Sequence, residues 1–287
     1  MAPVKDYTKT MSLYRDRTEP LTYSLQRQAE LLANYQRVQE QIRAAETDHS
    51  AVRTADSPEV QLLTVTKFFP ASDAAALYDA GVRLYGENRD QEAGPKAAAL
   101  AAIEEPDAPA RWEFIGQLQT NKAKSVVRYA HAVQSVDRPS LADALAKAYT
   151  NQLSRYEAGD APAPAAHANG NRLDCLIQVS LAEQATAGHA AEGARGGTSS
   201  DDLLALAERI ESSPVLRCAG IMAVAPLGED PNAAFERLWS LAQVLRAEHP
   251  GATEISAGMS GDMEAAVRWG STCVRVGSAI MGARSYT

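Results

Sequence analysis

Apolar and polar positions along this chain follow two periods. From residue 19 to about 47, Leu21, Leu25, Leu32, Tyr35, Val38 and Ile42 recur at helical spacing and predict one long amphipathic helix. Beyond it, short β-like runs at 62–66, 83–85, 112–115, 132–135, 174–180, 216–222, 254–256 and 272–276 alternate with helical runs at 72–80, 90–103, 120–129, 139–156, 201–211, 231–248 and 260–269. Strands separated by helices pair in parallel, with the helices outside. Eight such strands are also the number that closes a barrel with a side-chain-filled centre. The pattern predicts an α/β fold, a (β/α)8 TIM-type barrel with an extra N-terminal helix. An open doubly wound sheet is the alternative, because periodicity alone does not show closure. Residues 1–18 are polar and unpatterned and read as a flexible tail, which leaves 19–287 as a single barrel domain. The segments 157–172 and 187–200 have linker-like composition, and both read as exposed, mobile loops on either side of the fifth strand.

Alanine is the commonest apolar residue, so the outer helices face surfaces that accept small side chains. The 28 Lys and Arg against 36 Asp and Glu give a net charge of −8. A body this acidic is a poor general binder of nucleic acid or anionic membrane, so an anionic ligand needs a local cluster of donors. The best apolar run, 97–103, is far too short to span a bilayer, and the N-terminus has no apolar signal region, so the chain is expected to be cytoplasmic. Cys175, Cys218 and Cys273 lack the spacing of a zinc site or disulfide framework and read as buried thiols. The five histidines show no metal-ligand spacing.

Lys67 closes the first strand on the same face as Leu63 and Val65. A lysine ending an apolar row is partly desolvated, which frees its amine for Schiff-base formation; the plain alternative is a lysine reaching solvent at a strand end. Asn88, after Gly86-Glu87, is placed either to cap the following helix or to present an amide to a ligand. Thr120 and Asn121, after the third strand, stand in the same two-way position. After the seventh strand, Gly258-Met259-Ser260-Gly261-Asp262 opens a helix with Ser260 as the expected N-cap and with amides available to a phosphate. Asp262 and Glu264 would compete with such an anion. On the eighth strand Val274 and Val276 face the helices, which sends Arg275 into the barrel, where it needs an acceptor from a carboxylate or a ligand. Gly277 and Ser278 follow. Eight-fold barrels commonly bind phosphate between the loops after strands seven and eight, and both phosphate candidates fall there.

A Schiff-base lysine, an inward arginine and this cradle describe a pyridoxal phosphate site. The segments Val65-Thr66-Lys67, Tyr85-Gly86-Glu87-Asn88, the blocks at 112–122 and 258–266, Gly220-Ile221-Met222-Ala223, and the block at 274–284 occur in order over 62–284. Together they resemble the pyridoxal phosphate homeostasis protein family, whose fold is similar to the barrel domain of alanine racemase. The resemblance implies that Lys67 holds pyridoxal 5′-phosphate as an internal aldimine. It also implies that Ser260, Gly277 and Ser278 hold the phosphate, that Asn88 and Met222 belong to the cofactor site, and that Arg275 faces the pyridine nitrogen. An arginine there keeps that nitrogen unprotonated and weakens the ring as an electron sink. Three features depart from the family's usual pattern: Phe69, Tyr85 in place of Phe, and longer loops around strand five, which bear on any lid over the cofactor.

The implied function is a carrier that buffers or delivers the cofactor inside the cell without an efficient catalytic cycle. Its expected partners are the cofactor and, through transient contact, pyridoxal phosphate-dependent apo-enzymes; it is expected to be a monomer. The alternative is a pyridoxal phosphate-dependent amino-acid racemase or a related enzyme. A racemase needs a second acid/base on the opposite ring face. In the racemases a further β domain supplies it, and the twelve residues after Arg275 leave no length for one.

Overall fold

The computed structural model describes residues 14–15, 21–182 and 197–283. Eight parallel strands form the closed barrel that the pattern predicts: β1 Gln61–Val65, β2 Leu84–Glu87, β3 Arg111–Phe114, β4 Ala130–Val136, β5 Leu173–Gln178, β6 Leu216–Met222, β7 Glu254–Ser256 and β8 Cys273–Val276. Closure comes from β8 lying beside β1, with Arg275 opposite Leu63 and Val276 opposite Thr64. The open-sheet alternative is excluded. Among the described residues no helix is long and apolar enough to cross a membrane.

The helices are α1 Leu25–Glu46, α2 Ala71–Asp79, α3 Asp90–Ala101, α4 Ala123–Val126, α5 Pro139–Glu157, α6 Leu203–Glu211, α7 Pro231–Glu248, α8 Met263–Arg268 and α9 Ser278–Met281. The long N-terminal helix starts six residues later than its apolar period suggests. Ser24 ends the extended stretch by accepting the Arg27 N–H at 3.1 Å, and Tyr23–Ser24 pairs instead with Tyr14–Arg15. Tyr14–Arg15 is thus a paired part of the expected tail; the rest of 1–18 lies outside the described residues. The α1 helix packs across α2, α8 and α9. Its Asn34 amide donates to the Ile280 carbonyl at 3.0 Å and Arg27 Nη2 to Met281 O at 2.8 Å. The extra helix therefore clamps the end of the barrel sequence to its beginning.

The alanine-rich helices pack closely on the ring, with Ala74, Ala75, Ala76 and Ala93 fully buried. Tyr85 and Trp112 stack between neighbouring strands and helices at 4.9 Å. All three cysteines are free and buried, Cys175 and Cys218 lying opposite one another on β5 and β6. The 157–172 segment is a correction to the loop expected there. It holds a 3-10 turn, Ala165–Asn169, buries Ala166 and ties Ala165 N–H to Val127 O at 3.2 Å. It enters β5 at the N-terminal end of the barrel, so it cannot cover a site at the C-terminal mouth. Most of the second long segment, 187–200, lies outside the described residues.

Candidate functional site

The C-terminal ends of β1, β2, β6, β7 and β8 collect the residues singled out by the sequence. Lys67 leaves β1 half-buried. The next residue, Phe68, has φ +69°, a left-handed conformation that a residue with a Cβ adopts at a cost of about 1–2 kcal/mol. Surrounding bonds hold this turn: Phe69 N–H donates to Thr66 O at 3.1 Å, and Phe68 N–H to Glu92 Oε2 at 2.9 Å. Non-glycine strain of this kind is concentrated at functional sites across proteins.

Asn88 does not cap α3. Arg89 occupies the N-cap position without a side-chain cap, and Asn88 Oδ1 is buried with no hydrogen-bond partner among the described residues. An unpaired buried acceptor is uncommon and costly, so this amide is available to a ligand rather than spent on the helix. Thr120 and Asn121 are not caps either; they sit inside a short 3-10 turn, Thr120–Lys122, that precedes α4.

Ser260 is likewise not an N-cap. The α8 helix begins at Met263 behind Asp262, whose Oδ1 accepts the Met259 N–H at 2.6 Å. The carboxylate expected to compete with an anion is thereby tied to its own loop. Ser260 is free to approach Ser278 from the neighbouring loop, and the two exposed hydroxyls stand 3.5 Å apart. Between them the backbone passes close to β1, since a Cβ on Gly277 would lie 3.1 Å from the Val65 carbonyl oxygen. Gly258, at φ +95°, would drive a Cβ to 2.8 Å from Ala266. Two hydroxyls and closely packed backbone at adjoining strand ends form a lip that suits a phosphate.

Arg275 points into the barrel as strand parity requires, and its acceptors are neutral. Nη1 donates to Ser256 Oγ at 2.6 Å and Nη2 to Ala223 O at 2.7 Å. Burial pushes its pKa down, opposed in part by nearby Cys273 and Asp262. Ser256 Oγ in turn donates to Gln134 Oε1 at 2.6 Å, and Gln134 Nε2 to Glu113 Oε2 at 2.5 Å. A buried polar chain thus crosses the barrel beneath the mouth and fixes the guanidinium. Met222 lies beside Ser256 in register and packs with Leu176 and Ala219 as a small apolar island in the interior.

Sequence patterns give partial notice of this chain. Glu113 and Gln134 are polar residues interrupting apolar strands, which signals an inward polar network but not its partners. Lys96 gives no such signal, because a lysine in an Ala-rich helix reads as solvent-facing. It is in fact buried, donating to Glu87 Oε1 and, at 2.9 Å, to Thr66 O. Among the described residues no cluster of three or more His, Cys, Asp or Glu could hold a metal ion.

The orphaned Asn88 acceptor, the paired hydroxyls on the phosphate lip and the inward arginine with neutral acceptors all fit pyridoxal phosphate. A lysine after β1 completes the set, which defines a class: parallel barrels with a lysine after the first strand and paired hydroxyls on their last two loops. Residues 27–285 match the family model described as alanine racemase, N-terminal domain. The chain belongs to that family and, within it, to the pyridoxal phosphate homeostasis proteins. The homeostasis protein of Mycobacterium tuberculosis is 39% identical over 282 residues, covering 96% of each chain. PipY of Synechococcus elongatus, solved with pyridoxal phosphate bound, superposes with a TM-score of 0.67 at 27% identity, over 88% of this chain and all of that one. Alanine racemase from Corynebacterium glutamicum, 15% identical with a TM-score of 0.56 over 89% of this chain and 61% of its own, shares the fold alone.

Proposed function

We propose that this protein binds pyridoxal 5′-phosphate as a Schiff base on Lys67 and serves intracellular homeostasis of the cofactor by buffering or delivering it. The observation that carries the reading is the meeting of Ser260 and Ser278 on two adjoining loops, beside the strand that ends in Lys67. Its support from relatives is the shared homeostasis name and the cofactor bound in PipY. In this reading Ser260, Gly277 and Ser278 hold the phosphate, Asn88 meets the cofactor's polar edge, Met222 lines the interior side and Arg275 faces the pyridine nitrogen. When bound, the cofactor supplies an aldehyde with which the Lys67 amine condenses, forming C=N and releasing water.

The protein's own contribution is orientation and restraint. Arg275 is a permanent cation with both Nη groups anchored, so it disfavours a second positive charge on the ring nitrogen facing it. An unprotonated ring is a weak electron sink, which suits retention of the cofactor over turnover. The carrier works in the cytoplasm as a monomer, meeting cofactor-dependent apo-enzymes transiently.

The test is the visible absorption of the purified protein. Wild type is expected to be yellow, or to become so on adding pyridoxal phosphate, and Lys67→Ala to lose the band completely. A colourless wild type that takes up no cofactor would sink the reading. Steady racemisation of alanine by the pure protein would replace the carrier with an enzyme.

A further inference from the structure

Both peptide groups that flank Lys67 are gripped by side chains of α3. On the N-terminal side, the Thr66 carbonyl accepts Lys96 Nζ at 2.9 Å. On the C-terminal side, the Phe68 N–H donates to Glu92 Oε2 at 2.9 Å. Glu92 and Lys96 are four residues apart and so lie one above the other on a single helix face. The inner grip is itself fixed. Glu87 Oε1 accepts both Lys96 Nζ and, at 2.7 Å, the Thr66 hydroxyl. Glu87 is wholly enclosed and Lys96 is 5% exposed. Glu87 also immediately precedes Asn88, so one buried pair is bonded to the strand ends that present both Lys67 and Asn88.

Stability alone is a poor explanation for this arrangement. Burying two charges loses hydration that their attraction barely restores, and apolar replacements of such pairs are often neutral or stabilising. The Glu87 Oε2 atom, buried with no partner, adds to that penalty. The outer grip also maintains a left-handed backbone at Phe68 that a relaxed turn would avoid. A costly pair and a strained turn meet at one lysine, and what they jointly determine is the direction in which that lysine leaves β1.

We propose that Glu87, Lys96 and Glu92 form a positioning clamp that sets the approach of Lys67 to the cofactor. The clamp rests on the reading that Lys67 carries pyridoxal phosphate. None of the three is assigned contact with the cofactor; they act through the peptide groups around Lys67 and through the strand end bearing Asn88.

The experiment uses the full chain loaded with pyridoxal phosphate and reads two quantities besides the melting temperature. These are the rate of cofactor release into excess semicarbazide, and the visible circular dichroism per unit absorbance, which reports how rigidly the chromophore is held. The double variant Glu87→Gln/Lys96→Met removes both charges and strands neither. It is expected to keep the yellow band and the melting temperature while releasing cofactor about tenfold faster, the effect of losing one charge-assisted hydrogen bond, with weaker dichroism. Glu92→Ala, at a part-exposed position, is expected to release about threefold faster, and Glu92→Gln, which still offers an acceptor, to stay near wild type. Release and dichroism unchanged in both the double variant and Glu92→Ala overturn the clamp. So does a double variant that loses its fold while Glu92→Ala behaves as wild type, because the pair would then serve stability alone. A wild type without a band overturns the pyridoxal phosphate reading and the clamp with it, whereas a yellow wild type with unaltered variants overturns only the clamp.

Discussion

At the N-terminal end of the barrel the buried Asp174 carboxylate takes Arg217 Nε at 2.6 Å and Arg111 Nη2 at 3.3 Å. At the mouth, by contrast, Asn88 Oδ1 has no hydrogen-bond partner among the described residues, and Ser260 meets Ser278 only at 3.5 Å. At the closed end Asp174 has its charge met by two arginines, which stay part-exposed to water while their carboxylate does not. Groups at the open end are held in place by their neighbours rather than bonded tightly to each other. Polar residues of similar type therefore pair tightly at one end and leave an acceptor and two hydroxyls uncommitted at the other. The buried chain from Arg275 through Ser256 and Gln134 to Glu113 joins the two regions.

That contrast can be broken most forcefully from below. The double variant Arg111→Met/Arg217→Met leaves the Asp174 carboxylate buried without a cation. It is expected to lose about 3–5 kcal/mol of stability and to melt roughly 10 °C lower, with cofactor release unchanged. Thermal melts beside release assays test this, and altered release with an unchanged melt would reverse the comparison.

A pH series sharpens the same point at Glu254, also at the lower end. Burial, followed by the charges of Glu113 and Asp174, pushes its carboxyl up to about 7. An unfolded glutamate titrates near about 4.3, so between those values the folded protein keeps a proton that the unfolded chain has released. Stability must then fall as pH rises through that window. Glu254→Gln removes the loss and is expected to stabilise the protein at pH 8 by about 2 kcal/mol after allowance for solvent screening, with no gain at pH 4. Equal gains at both pH values would refute the assignment.

The smallest effects belong to the phosphate lip. Ser260→Ala and Ser278→Ala are each expected to weaken pyridoxal phosphate binding by about fivefold to tenfold, with the band position and melting temperature of the apo-protein unchanged. Equilibrium dialysis checks this, and wild-type affinity in both variants would remove the lip from the site.

Most of the fold was legible because barrel strands and outer helices have different apolar periods, and all eight strands fall where those periods change. What escaped is what the period does not encode. Helix starts shifted where side chains bonded outside the expected position: Ser24 capped α1, and Asp262 closed the loop before α8 onto Met259 N–H. The 157–172 segment looked like a linker because alanine and proline are common in linkers, yet Ala166 is buried in the core and Ala165 is tied to Val127. Of the proposed site, Lys67, Asn88 and the two serines follow strand ends and Arg275 lies on β8, where loop position and parity make them visible. Lys96 and Glu92 were invisible, since their roles depend on a contact between α3 and the turn after β1.

Closing the ring through β8 and β1 also gives the site a place in time. Lys67 follows the first strand of the barrel to be synthesised and Ser278 follows the barrel's last, so a chain cut short within the barrel cannot present both. Taking up the cofactor would therefore be a late event in the protein's synthesis. The yellow colour would mark chains whose two ends have found each other, much as a clasp shows that a bracelet is fastened.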